Sequence, residues 1–133
     1  MNVVKIYGLA LVVFLAIDFL WLSLIAKDFY GEHLGFLMRD DPNLLAALIF
    51  YLLFVGGIVF FVIMPNKEQG SLTTMLLSGM FFGLVSYATY DLTNYATIKD
   101  WPFIIVVVDL AWGAIISGFT TTVVFYLMRL LKI

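Results

Sequence analysis

The chain has 133 residues, of which 64% are hydrophobic and only 12% charged, with a mean hydropathy of +1.09 and a formal net charge of −2. A soluble domain of this size could not cover so much apolar surface, so the composition points to an integral membrane protein. The small net charge argues against nucleic-acid binding. The absence of cysteine excludes disulfides, thiolate metal sites and thiol nucleophiles.

At roughly 20 residues per span, the length suits one integral membrane domain over residues 1–133 with four transmembrane helices. Residues 6–26, IYGLALVVFLAIDFLWLSLIA, form the first predicted span. It is too long for the apolar core of a signal peptide, and Asp18 interrupts it, so it reads as a retained helix. Residues 27–43 read as a loop in which Tyr30, Leu34, Leu37 and Met38 share one helical face, expected to lie in the membrane interface. Asp41 followed by Pro42 is a plausible start for the second span, residues 44–64, with Asp41 as N-cap. That span has Tyr51 as its one titratable residue, and Gly56 and Gly57 permit close helix contact. Pro65 is expected to end it, and PNKEQG to turn the chain. The third span, residues 71–98, carries a GxxxG pair, Gly79 and Gly83, which allows a homodimer contact in the lipid bilayer. Lys99, Asp100, Trp101 and Pro102 turn the chain, with Asp100 placed to cap the fourth span, residues 103–128.

With four spans, both termini share a side with the turn at Pro65. That side carries Lys5, Lys67, Arg129 and Lys132, and the other carries Lys27, Arg39 and Lys99. The positive-inside rule therefore puts both termini in the cytoplasm.

Three acids lie inside the apolar runs: Asp18, Asp91 and Asp109. An ionised carboxylate at the centre of a span costs roughly 2.5–3.5 kcal/mol on insertion scales, so such residues face a partner, a cavity or water. Counting roughly 1.5 Å per residue from the expected helix ends puts all three at a common depth in the outer half of the membrane. Trp21 and Trp112 follow Asp18 and Asp109 by three residues and share their faces. Tyr87, Asn94 and Tyr95 flank Asp91 at helical spacing. The expected site is a pocket of these eight residues. No basic residue lies within the spans, so a cluster of this kind suits a proton or a cation. DFLWLSLIAKDF and DLTNYATIKDW also align on Asp and on Lys-Asp-aromatic, which suggests two hairpins related as a parallel repeat.

YATYDLTNYATIKDWP and VVVDLAWGAIISG, with DFLWL and PNLLAALIFYLLF earlier, resemble a family of small predicted bacterial membrane proteins catalogued only as a domain of unknown function. The resemblance runs over nearly the whole chain and implies four helices in a bacterial membrane. It carries no catalytic role.

Competing readings remain for these residues. Neutral aspartates also serve as hydrogen-bonding glue between helices. Trp21 and Trp112 suit either an organic cation or an aromatic belt, and Trp101 an interface anchor. His33, the only histidine, reads as a solvated loop residue, and no metal-ligand set or nucleophile–base–acid constellation is visible. Two function classes stand first: binding or transport of a small cationic or proton-coupled ligand, and a membrane enzyme using the carboxylates on a lipid-like substrate. A structural or assembly protein is the third, and the sequence leaves the cofactor unknown.

Overall fold

The apolar runs fold as four helices in a computed structural model that describes residues 2–68 and 70–133. They are α1 (Asn2–Leu34), α2 (Leu44–Lys67), α3 (Leu72–Thr97) and α4 (Phe103–Leu131), each long and apolar enough to cross a membrane. No strand occurs among the described residues. The shortest, α2, has 24 residues, about 36 Å at 1.5 Å per residue, which exceeds the ~30 Å hydrocarbon core. Large apolar side chains such as Phe19, Leu24, Leu53, Phe60 and Phe81 stand exposed along the helices, as expected of surfaces that meet lipid.

Helix α1 runs past Ala26, where the sequence suggested a loop. Charges alone do not break a helix. No proline lies between Ala26 and Leu34, and the single Gly31 costs only about 1 kcal/mol. Lys27, Asp28 and Glu32 ride on the exposed side of this extension. A π-helical turn at Leu22–Ala26 interrupts the α-helix immediately after Trp21. A second π turn, Val59–Ile63, precedes Pro65 in α2. There the Met64 amide donates five residues back to the Val59 carbonyl. Proline lacks an N–H, and its ring crowds the carbonyl four residues before it. The wider turn relieves that conflict, and α2 continues through Pro65 to Lys67.

The helix starts also differ from expectation. Asn43, not Asp41, caps α2 by accepting from the Ala46 amide at 3.0 Å, since it adjoins the apolar run and Pro42 lies outside the helix. Asp100 does not cap α4. It occupies the left-handed region at φ +62° within the turn, a conformation that aspartate tolerates. Pro102 takes the N-cap position with no side-chain cap bond. Ser71 caps α3, accepting from Thr74 at 3.3 Å.

Helices α3 and α4 pack closest. Gly79 and Gly83 are buried against α4 of the same chain. A Cβ on Gly83 would collide with the Gly113 carbonyl and the Ser117 hydroxyl. One on Gly113 would lie 2.5 Å from the Tyr87 ring and 2.8 Å from the Gly83 carbonyl. The homodimer contact expected through Gly79 and Gly83 is thus an internal helix contact, because α4 already covers that face. Thr121 donates to the Gly118 carbonyl of its own helix at 2.9 Å and reaches across to the Met75 carbonyl of α3 at 3.4 Å. An apolar core of Ile6, Phe14, Phe54, Ile58, Met75 and Ile116 joins the four helices. The two hairpins are built differently. Each helix of the first contains a π turn, and the connection 35–43 is long, whereas the second has neither feature.

Candidate functional site in the aromatic cavity

Between the helices lies a cavity of about 700 Å³, with Asp18, Trp21, Tyr30, Tyr51, Ser86, Tyr87, Tyr90, Asp109 and Trp112 among its walls and Leu22, Leu34, Met38 and Phe50 completing it. Both carboxylates are 7% exposed, so each needs partners to offset its desolvation. Asp18 accepts two bonds, from the Tyr51 hydroxyl at 2.5 Å and from the Trp112 indole Nε1 at 3.2 Å. The Trp112 ring stacks on Trp21, with centroids 4.4 Å apart and planes at 13°. Asp109 accepts from the Tyr30 hydroxyl. Asp18, Trp112 and Tyr51 thereby tie α1, α4 and α2 together at one carboxylate. Tyr30 ties the extension of α1 to α4 at the other.

The π turn explains how one helix reaches both acids. Twelve residues separate Asp18 from Tyr30, which at 3.6 residues per turn leaves them about 120° apart around an undisturbed helix. Five residues in a wider turn each rotate less, and they bring Tyr30 back toward the face of Asp18. The ties to Asp109 and Trp112 are three residues apart on α4, about 4.5 Å along its axis.

Asp91 stands behind this wall rather than in it. It is fully buried, and neither of its oxygens has a hydrogen-bond donor. Its carboxyl neighbours that of Asp109, a second acceptor. The Trp101 indole is another neighbour, and its Nε1 has no hydrogen-bond partner. Trp101 is buried in a small cluster with Leu34, Ile105 and Val106, with Tyr90 edge-on to its ring.

The structure brings Asp18, Asp109, Trp21, Trp112 and Tyr87 to one cavity and sets Asp91 against Asp109. Asn94 and Tyr95 stand outside the wall. Tyr95 is exposed and packs on Phe103, one helical turn nearer the end of α3, and Asn94 lies by Tyr90. The three acids do not converge on one point. Among the described residues, no group of three histidine, cysteine or acidic side chains is placed to hold a metal ion. His33 is half-buried, tilted on Phe29 at 4.6 Å, with Nδ1 3.0 Å from the Phe29 carbonyl.

Tyr30, Tyr51, Tyr90 and Ser86 enter the site without having been singled out from sequence. Tyr51 carried a usable signal as the one titratable side chain in an apolar span, where a phenol needs an acceptor. Tyr30 had none, because its placement depends on the π turn.

No curated protein and no solved structure matches the chain. Residues 3–126 match the family described as Predicted membrane protein (DUF2177), and the chain belongs to that family, a membrane-protein domain of unknown function.

Proposed function

We propose that the protein binds, and in the membrane transports, a small hydrophobic organic cation in this cavity. The observation that carries the reading is Asp18, a buried carboxylate held by Tyr51 and Trp112 in a chamber whose remaining wall is mostly aromatic and aliphatic. A carboxylate supplies the counter-charge, indole and phenol faces attract ammonium groups, and Leu22, Leu34, Met38 and Phe50 suit an apolar substituent. A volume near 700 Å³ fits the usual range for small-molecule sites. Exposed Met38 and Phe50 at the rim favour a second reading, acid–base chemistry on a lipid-like substrate at Asp109 and Tyr30.

The setting we propose is a bacterial inner membrane with both termini cytoplasmic. The greater number of cations at the end holding Lys5, Lys67, Arg129 and Lys132 supports it. The cavity then lies toward the outer face, and a reporter fused after Ile133 that is active only in the periplasm reverses the orientation.

Titration of the protein in lipid nanodiscs with benzyltrimethylammonium, followed by tryptophan fluorescence, tests the cation reading. Saturable quenching that disappears in Asp18→Asn supports it. Absence of saturable binding, together with conversion of a lipid-like substrate, replaces it with the enzymatic reading.

A further inference from the structure

Asp91 is costly to place. A carboxyl with no exposed surface normally collects donors, yet both of its oxygens lack one. The carboxyl at close range is that of Asp109, another acceptor. Two charged carboxylates at that range repel, whereas one proton between them turns the contact into a hydrogen bond. The Trp101 indole is a second, independent sign. It is 8% exposed, its Nε1 has no partner, and it lies against the same carboxyl.

The other titratable groups about Asp91 are phenols. Tyr30 comes from α1, and Tyr87 and Tyr90 from its own helix. Tyr51 on α2 is committed to Asp18. No lysine, arginine or histidine lies in residues 72–97 or 103–128, the stretches that carry Asp91 and Asp109. Asp109 is the carboxyl that joins the two environments, since it borders the cavity and also faces Asp91.

Building on the cation reading above, we propose that Asp91 and Asp109 hold one proton between them and release it when the cation enters, so that proton and cation compete for the protein. Without cation, the pair carries one proton and one negative charge. The arriving cation brings positive charge to the cavity beside Asp109. The O–H bond of the pair breaks and the proton leaves through the cavity to water. One cation replaces one proton, the charge of the site is unchanged, and no other reactant takes part. Asp91 does not touch the ligand. It acts through Asp109 as the second half of the proton site.

Two measurements test this separately. Infrared spectroscopy of the protein in lipid without any cation should show a protonated carboxyl stretch at neutral pH that is lost in Asp91→Asn. If the wild-type protein lacks that band, the proton-sharing pair is overturned, with no variant needed. Benzyltrimethylammonium affinity should weaken about tenfold per pH unit as pH falls through the titration of the pair, as linkage requires for one exchanged proton. In Asp91→Asn, where an amide replaces the proton-holding group, binding should persist and lose that slope. Wild-type binding with a flat pH profile overturns the exchange and leaves the cation reading standing. No cation binding at any pH overturns both, while the infrared band still decides whether the pair holds a proton.

Discussion

Where α3 meets α4, glycine, serine and threonine bring two backbones together. Where α1 and α2 face them, tyrosine and tryptophan hold the helices apart around a chamber. In the first region the polar atoms are spent on close contact: Thr121 bonds to carbonyls within the seam, and Gly83 and Gly113 have no room for a side chain. In the second, the polar atoms are phenols and indoles aimed at two carboxylates. Small residues give a membrane bundle its rigidity through proximity. Long aromatic donors let it keep a cavity without leaving charge uncompensated. The close-packed seam also supports the site, since Tyr87 packs over Gly113 on the cavity side.

The contrast breaks most sharply at the seam. Gly83→Leu has no flexible neighbour to displace, only the Gly113 carbonyl and the Ser117 side chain. It should cost about 3 kcal/mol or more, at the upper end of overpacking effects, and unfold at markedly lower denaturant in mixed micelles. Gly8→Leu, inside α1 at a position with nothing within 4 Å, should cost nothing and gain up to about 1 kcal/mol, the penalty of a helical glycine, in the same titration. Equal effects at the two positions would show that the seam is not the rigid element.

On the cavity side, removing charge should matter more to binding than to folding. Asp18→Asn keeps the shape and one of the two oxygen acceptors that Tyr51 and Trp112 use. It should reduce benzyltrimethylammonium affinity at least about 30-fold, the ~2 kcal/mol at the low end for losing one member of a buried charged pair. Unchanged affinity in a titration would remove Asp18 from the site. A smaller effect is expected from Tyr30→Phe, which deletes the donor to Asp109. The loss should be about 1 kcal/mol, seen as faster amide hydrogen exchange over residues 27–34 with little change elsewhere. Uniform exchange across α1 would mean that this tie does not hold the extension.

The four helices were legible because apolar runs of membrane length leave the backbone one practical choice. The aspartates stood out for the same reason, and their neighbours Trp21, Trp112 and Tyr87 followed from helical spacing. Such spacing fails where the helix is not α-helical. The π turn after Trp21 rotates the rest of α1, so Tyr30, placed from sequence on an interfacial face, meets Asp109 instead. Spacing also cannot say what covers a face. Gly79 and Gly83 allow close approach by any helix, and the sequence does not distinguish α4 from a second subunit. Asn94 and Tyr95 were misplaced because sharing a face with Asp91 does not fix depth within the cavity.

A cation site here requires Asp18 and Asp109 to make the cavity selective for positive charge, and the absence of native cysteine makes that measurable. Ser86 lines the chamber beside Tyr87, so a single Ser86→Cys substitution reports from inside it. Its rate of modification by a cationic methanethiosulfonate should exceed that of an anionic reagent of similar size by about tenfold or more, one decade for each 1.4 kcal/mol of electrostatic preference. Adding Asp18→Asn and Asp109→Asn should bring the two rates together. Equal rates in the single-cysteine protein, or a preference that survives removal of both carboxylates, would contradict a cation site in this cavity.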